Sequence, residues 1–299
     1  MMRQHAIVTG ANGLIGRRLV EALIDRGVST VAVDCTEGAH GCPFRQLNLT
    51  IPGALDELLT NESMVFHLAA KTSVSGSVAS PRDDFEVNVA GTIEVLESAR
   101  RTGAAVVFAS SSATYDPRSP LPHNEKSPKR PISPYGAAKL ASEGYCSVYH
   151  HCYSLDVRVV RLFNVYGPGM KRFAIHDFFH KINQAEDTFE VLGDGKQVRD
   201  FLYLDDAVNG FVAVSEHGQP GEDYNVASGE PTRIIDLAKQ MCDTMGRSEL
   251  IIKTTGKSFP GDVPEWYADI SKIQSIGFCP RIPLESGLQN TVNWLNTTV

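Results

Sequence analysis

From residue 4 to about 162, short runs of β-branched and apolar residues alternate with longer amphipathic stretches, and this alternation constrains the fold more than any other feature. A strand that is apolar throughout must be covered on both faces. Helices between successive strands supply that cover, so the pattern predicts a doubly wound parallel α/β sheet. Strands are expected at Ala6–Thr9, Thr30–Val33, Met64–His67, Val106–Ala109 and Val157–Arg161. Crossover helices are expected at Leu14–Ile24, Val87–Arg100 and Tyr135–Tyr149, with apolar side chains at helical spacing, as in Val87, Ile93, Leu96 and Ala99. Beyond Leu162 the pieces shorten and Gly and Pro punctuate them, with a helix at Asp205–Ser215 that returns to the sheet and another at Arg233–Met245. No Ser- or Pro-rich linker separates the two parts, so they are expected to pack directly on each other.

Composition excludes several classes of function. The 299 residues make about two units of ~150, and 42 % hydrophobic with 21 % charged residues is ordinary for a globular chain. A formal charge of −7 without a basic patch argues against binding nucleic acid or an anionic membrane. The six cysteines form no CxxC pair and are too few for a disulfide framework, which predicts free thiols, a reducing compartment and no metal site. No apolar run is long enough to cross a bilayer, and the N-terminus lacks the layout of a signal peptide, so a cytoplasmic location is expected.

The first strand runs into Thr9-Gly10-Ala-Asn12-Gly13-Leu14-Ile15-Gly16, a glycine turn followed by a helix start. Gly10 permits the tight turn, Gly13 lets a pyrophosphate approach the backbone, and Gly16 lets the helix pack closely on the strand. Asp34 ends the second strand, where a carboxylate accepts hydrogen bonds from an adenosine ribose diol and repels a 2′-phosphate, which favours NAD over NADP. Three glycines alone mark many bare turns, and a strand-end carboxylate is often only solvated. Strand, turn, helix and acid in this order point instead to a dinucleotide. The expected architecture is therefore a Rossmann-type sheet with a smaller C-terminal substrate-binding lobe. Residues 1–163 form the NAD-binding domain, to which 201–221 return, while 164–200 and 222–299 form the lobe.

Tyr135 and Lys139 stand at i and i+4 of a predicted helix, on one face and about a turn apart. A cation beside a phenol favours the phenolate, so Lys139 is expected to lower the pKa of Tyr135 toward the range of a general base. On its own the pair also fits an ordinary amphipathic face. The strand Val106–Ala109 decides in favour of chemistry, because it delivers Ser110, Ser111 and Ser112 to its carboxyl end, where open α/β sheets bind ligands.

With these elements in one order, the chain resembles the extended short-chain dehydrogenases/reductases. Within them it resembles the nucleotide-sugar epimerase/dehydratase family, and most of all its UDP-hexose 4-epimerases. The resemblance runs nearly end to end: Thr9–Gly16, His67-Leu68-Ala69-Ala70-Lys71, Asn88-Val-Ala-Gly-Thr92, Ser133-Pro-Tyr135-Gly-Ala-Ala-Lys139, Arg161-Leu-Phe-Asn164-Val-Tyr-Gly-Pro168, Gly193–Phe201 with Arg199, and Gly261-Asp262. It implies NAD as cofactor, held by Gly10, Asn12, Gly13, Leu14, Ile15, Gly16, Asp34, Asn48, Leu49, Leu68, Ala69, Ala70, Lys71 and Asn88 together with Tyr135 and Lys139. It also implies Tyr135 as acid/base, Lys139 as its partner on the nicotinamide ribose, and Ser111, or else Ser112, as the assisting hydroxyl. Asn164, Arg199 and Asp262, with Ser111, would hold a nucleotide sugar, and helices Val87–Arg100 and Tyr135–Tyr149 would pair with their copies in a homodimer.

Four departures bear on the reaction. Thr114-Tyr115-Asp116 replaces the family's Val-Tyr-Gly, Asn48-Leu49 replaces its Asp-Leu, residues 169–175 form a short substrate loop, and the arginine usual before Gly261-Asp262 is absent. The Asp-Glu pair with which related 4,6-dehydratases eliminate water is here Ser112-Ala113, neither of them an acid or base at neutral pH. The sequence therefore predicts epimerisation of a UDP-hexose or UDP-hexuronate at C4 through a transient 4-keto sugar. An NAD-dependent 4-keto reductase, dehydrogenase or dehydratase is the enzymatic alternative. A non-catalytic NAD-sensing protein is the other, opposed by the intact Tyr135 and Lys139.

Overall fold

The computed structural model describes residues 3–257 and 263–298. The first half alternates as the sequence predicts, with strands β1 (His5–Thr9), β2 (Ser29–Asp34), β3 (Phe44–Gln46), β4 (Ser63–His67), β5 (Ala105–Ser111) and β6 (Val157–Leu162). Its helices are α1 (Leu14–Asp25), α2 (Val74–Ala79), α3 (Pro81–Phe85), α4 (Gly91–Thr102) and α5 (Pro134–Tyr153). The second half holds β7 (Asn164–Tyr166), β8 (Thr188–Val191), β9 (Val198–Tyr203), β10 (Asp223–Val226), β11 (Pro231–Arg233), β12 (Ile251–Thr254) and β13 (Glu265–Trp266). Among these strands lie α6 (Ala174–Gln184), α7 (Leu204–His217), α8 (Ile234–Thr244), α9 (Ser271–Gln274) and α10 (Leu284–Thr298).

Seven strands join in the order β10-β6-β5-β4-β1-β2-β3, each pairing parallel. Because side chains alternate along a strand, neighbouring residues serve opposite cores. Val8, Phe66 and Val107 pack with Leu19 and Leu23 of α1 and Phe211 of α7, while Ile7, Val65 and Val106 pack with Leu96 of α4 and Cys146 of α5. Each such large apolar side chain contributes about 1.5–3 kcal/mol by leaving water. A third cluster, with Phe178, Phe179, Phe189, Leu237, Met241 and Leu288, forms around the two small sheets of the second half.

Three differences from the sequence reading concern boundaries. The edge strands β3 and β10 are short and were not expected, because an edge strand needs little apolar pattern. The return of the chain to the large sheet, expected over 201–221, continues through β10, which pairs with β6. The helix expected at Val87–Arg100 begins earlier, at α3, and passes through a wide π-type turn at Glu86–Ala90 before α4. Such turns carry no signature in apolar spacing and are frequent at functional sites.

Candidate active site

The turn after β1 is built by close approach. Gly10 has φ +68°, and a Cβ there would stand 2.7 Å from the Ala69 nitrogen; one on Gly16 would stand 2.1 Å from the Gly10 oxygen. The first turn of α1 thus lies against the Gly10 turn, and that turn lies against Leu68 and Ala69 leaving β4. Gly13 caps α1 without a side chain, leaving its first N–H groups for a ligand. Asp34 closes the neighbouring edge, its carboxylate accepting from Asn12 N at 3.0 Å and from Thr36 N and Oγ1 at 3.0 and 2.9 Å. The Asn12 amide donates to the Thr36 carbonyl and meets His40 Nε2, so the 36–40 loop is tied to the glycine turn. Asn48 is exposed, with its side-chain oxygen engaged by Thr50 N, and Leu49 beside it packs against the cluster that holds Val33, Leu55 and Leu96.

Asn88 braces the protein itself. It is buried, and its amide accepts from Lys71 N and donates to Lys71 O and Asp84 Oδ1, so it holds the Leu68–Lys71 segment in place with groups a ligand would otherwise use. The π-type turn aims the Asn88 carbonyl at Ser142 Oγ of α5, 2.8 Å away. His67, at the end of β4, lies between Thr9 and Thr92 and is pushed down to about 3 by burial, so it stays neutral and structural.

Helix α5 presents Tyr135 and Lys139. Ser133 caps it by accepting from Gly136 N at 3.1 Å, and Pro134 occupies the first turn, where its missing N–H costs nothing. The Tyr135 backbone N–H donates to Ser77 Oγ of α2 at 3.1 Å, and the Ser111 hydroxyl lies near enough to the phenol to act on its pKa. Of the two candidate serines, Ser111 is the one brought to Tyr135; Ser112 is buried in the turn that follows β5.

Lys139 donates to the Ala109 carbonyl at 2.8 Å and lies over the Phe108 ring. Burial lowers its ammonium to about 8. The expectation that Lys139 lowers the Tyr135 pKa is corrected here: burial raises the phenol, and the opposing influences are the nearby Ser111 hydroxyl and the charge of Arg172. The ammonium is spent on a carbonyl in a dry site, where desolvation is the larger effect.

One turn beyond Lys139, Glu143 accepts from Ser110 and forms a bidentate pair with Arg161 of β6 at 2.8 and 2.7 Å. Arg161 also reaches Tyr115 and Asp223, so α5 is tied to β5, β6 and β10 through buried charge. The spacing Tyr135, Lys139, Glu143 signals this role, and the sequence reading did not use it.

The other wall comes from the second half. Asn164 on β7 donates to the Asp200 carbonyl at 3.0 Å, and Arg199 lies next to it on β9, donating to Val198 O. Asp200 is fully buried and accepts from Ser228 N and Oγ, Gly229 N and Ala268 N. Asp262 lies outside the described residues. Next to the start of α5, whose Tyr135 N–H donates to Ser77, is a cavity of about 440 Å³ lined by Ala70, Lys71, Ser73, Ser77, Asp84 and Arg172. Ser77, Asp84 and Arg172 carry no joint signal in a single sequence, because only the fold gathers them.

The profile of the NAD dependent epimerase/dehydratase family matches residues 6–227. A UDP-glucuronate 4-epimerase of Thermodesulfobacterium geofontis is 33 % identical over 97 % of this chain and 95 % of its own length. Among solved structures, the UDP-glucose 4-epimerase of Thermotoga maritima with UDP-glucose superposes with a TM-score of 0.90 at 30 % identity, covering 98 % of this chain and 99 % of that one. The UDP-glucuronic acid 4-epimerase of Bacillus cereus with UDP-glucuronic acid and NAD gives 0.90 at 28 %, covering 99 % and 100 %.

Proposed function

Because the chain belongs to the NAD-dependent epimerase/dehydratase family, we propose that it inverts C4 of a UDP-hexose or UDP-hexuronate through a transient 4-keto sugar. The observation that carries this reading is the placing of Tyr135 at the start of α5 with Ser111 near its phenol at the carboxyl edge of the sheet, and no carboxyl group at Ser112-Ala113. The residues present fit NAD: Gly10 and Gly16 allow a backbone cradle no side chain could share, and Asp34 stands at its ribose end. When bound, NAD supplies a hydride acceptor that returns the hydride to the same carbon. Gly13, Leu14 and Ile15 at the start of α1 would hold its phosphates, Leu68, Ala69, Ala70 and Lys71 its nicotinamide half, and Asn48 and Leu49 its adenine.

Tyr135 takes the proton of the sugar 4-hydroxyl as C4 is oxidised and gives it back after the keto sugar has turned. Ser111 donates to the phenolate and to the sugar oxygen in turn. Lys139 keeps positive charge behind the ribose. Asn164, Arg199 and Asp262 hold the nucleotide and diphosphate, and the fixed charge of Arg199 suits a pyrophosphate.

Deuterium oxide tests the reaction. A C4 epimerase yields the C4 epimer with no deuterium on carbon and no net use of NAD. Deuterium at C5 with loss of a hydroxyl shows dehydration, and stoichiometric oxidation of NADH shows a reductase. Either result sinks the epimerase reading.

Homodimerisation belongs to the same proposal. Val78, Phe85, Tyr145, Val148 and Tyr153 of α2, α3 and α5 are exposed, and a two-fold partner would cover them. Light scattering that shows only monomer at micromolar concentration rejects the dimer. Among the described residues no helix is long and apolar enough to cross a membrane, and a cytoplasmic location is proposed with the substrate class.

A further inference from the structure

We propose that His176 and His180 of α6 form a binding site for a divalent transition metal of the class that imidazole prefers (zinc, nickel or copper), apart from the residues that carry the reaction. The proposal does not rest on the C4-epimerase reading. The two histidines stand four residues apart on α6, so they lie on one face, about a turn from each other. Their Nε2 atoms are 3.2 Å apart while the ring centroids are 4.4 Å apart, so the two nitrogens lean toward each other. A zinc ion at the usual distance of about 2.0–2.1 Å from both nitrogens would span that 3.2 Å gap with an angle of about 100–106°, close to tetrahedral. The opposite side of the helix is anchored, with Ile175, Phe178, Phe179 and Ile182 buried in the third apolar cluster. The pair is thus presented from a fixed backbone, which lowers the cost of chelation.

The surroundings of the pair suit a cation. His176 Nδ1 is buried without a hydrogen-bond partner, and Asp177 Oδ1 stands 3.7 Å from it. A histidine that binds metal commonly turns its other ring N–H toward a carboxylate, which fixes the tautomer and frees the far nitrogen as ligand. A proton on Nδ1, facing Asp177, gives His176 that arrangement. Asp177 also lies in the first turn of α6, where its charge offsets the positive helix end that a cation would meet. Among the described residues no cluster of three His, Cys, Asp or Glu that could hold a metal is found, so water completes the coordination and the site is open. Two imidazoles select borderline transition metals over magnesium and calcium, which take oxygen ligands. Chelation across the first two turns of α6 stabilises the folded chain, because the unfolded chain does not hold the two rings in register.

Calorimetric titration of the tag-free protein with Zn²⁺, and with Mg²⁺ as control, tests the site. Zn²⁺ is expected to bind the wild type and to raise its melting temperature, and Mg²⁺ to do neither. Losing a residue that merely orients a metal ligand costs about 10- to 100-fold in affinity. His176→Gln and His180→Gln, which each remove a ligand itself, should weaken Zn²⁺ by at least that much and cancel the thermal shift. His151→Gln, on the exposed end of α5, should change neither. The exposed thiols of Cys35, Cys152 and Cys279 are the competing ligands. Zinc binding that persists undiminished in both α6 variants places the metal there and overturns the proposal. A wild type that binds no Zn²⁺, or binds Mg²⁺ equally well, overturns it too. Electron paramagnetic resonance of bound Cu²⁺ counts the ligands in the wild type itself, so the result stands even where a variant fails to fold. Hyperfine structure from two imidazole nitrogens upholds the pair, and one or none overturns it.

Discussion

The two walls of the site are made differently. On one side, Tyr135 and Lys139 come from a single 20-residue helix, locked to the large sheet by the buried Glu143–Arg161 pair and by Ser142 on the π-type turn. On the other, Asn164 and Arg199 come from strands of three and six residues in a small sheet, and Arg172 comes from a loop. Proton transfer tolerates little error in position, and the helix wall is buried and cross-braced. Recognition of a sugar's substituents varies among relatives that share one reaction, and the second wall is built from half-buried, short elements.

Removing chemistry from the braced wall should give the largest effect. Tyr135→Phe deletes one hydroxyl and is expected to lower kcat by about 100- to 10,000-fold, with NAD binding and the melting transition retained. Near-normal turnover would mean that the acid/base lies elsewhere.

The bracing itself can be broken. Glu143→Gln leaves the Arg161 guanidinium buried with Asp223 as its remaining carboxylate partner. Removing one member of a buried pair costs about 3–5 kcal/mol, and the lower end is expected because Asp223 stays. Urea unfolding measures it, and a loss under about 1 kcal/mol would show that α5 is held by packing alone.

The same contrast explains what the sequence revealed. Alternating apolar runs and the Gly10-to-Asp34 segment located the large sheet, because parallel strands buried on both faces write their burial into consecutive residues. Tyr135, Lys139 and Ser111 were readable because one helix and one strand end place them. Asn88 was read as a ligand contact, and its bonds to Lys71 and Asp84 could not be read beside it, since a motif records that a residue is needed but not which groups of the fold it also braces. The phenol shift was misjudged in sign because burial is a property of the whole fold. Ser77 and Arg172, nearly a hundred residues apart, share a cavity only through the crossing of the 169–175 loop, and no local spacing encodes that.

On the second wall, Arg199→Ala should act chiefly on KM, raising it by about 10-fold or more while kcat falls less, as expected for a group that holds the diphosphate equally in ground and transition states. A fall in kcat with KM unchanged would move Arg199 from recognition into the chemistry.

The last effect concerns pH, and it separates the walls by slope. Lys139 is buried, and its ammonium is lowered from an ordinary 10.5 to about 8. Between those values the unfolded chain holds a proton that the folded chain has released, so stability from this group rises with pH across that window. Below about pH 8 both states carry the proton, and the burial cost is constant. Lys139→Met removes the titration. The unfolding free energy of wild type relative to Lys139→Met should therefore be flat from pH 6 to about 7 and climb from about 8 toward 10.5. The corresponding difference against Arg199→Ala should stay flat over the whole range, because a guanidinium keeps its proton throughout. Urea titrations of the three proteins at about pH 7, 8, 9 and 10 make the measurement. A Lys139→Met difference that does not climb would mean that the folded protein holds the Lys139 proton as firmly as the unfolded chain does, and the asymmetry between the two walls would then rest on geometry alone.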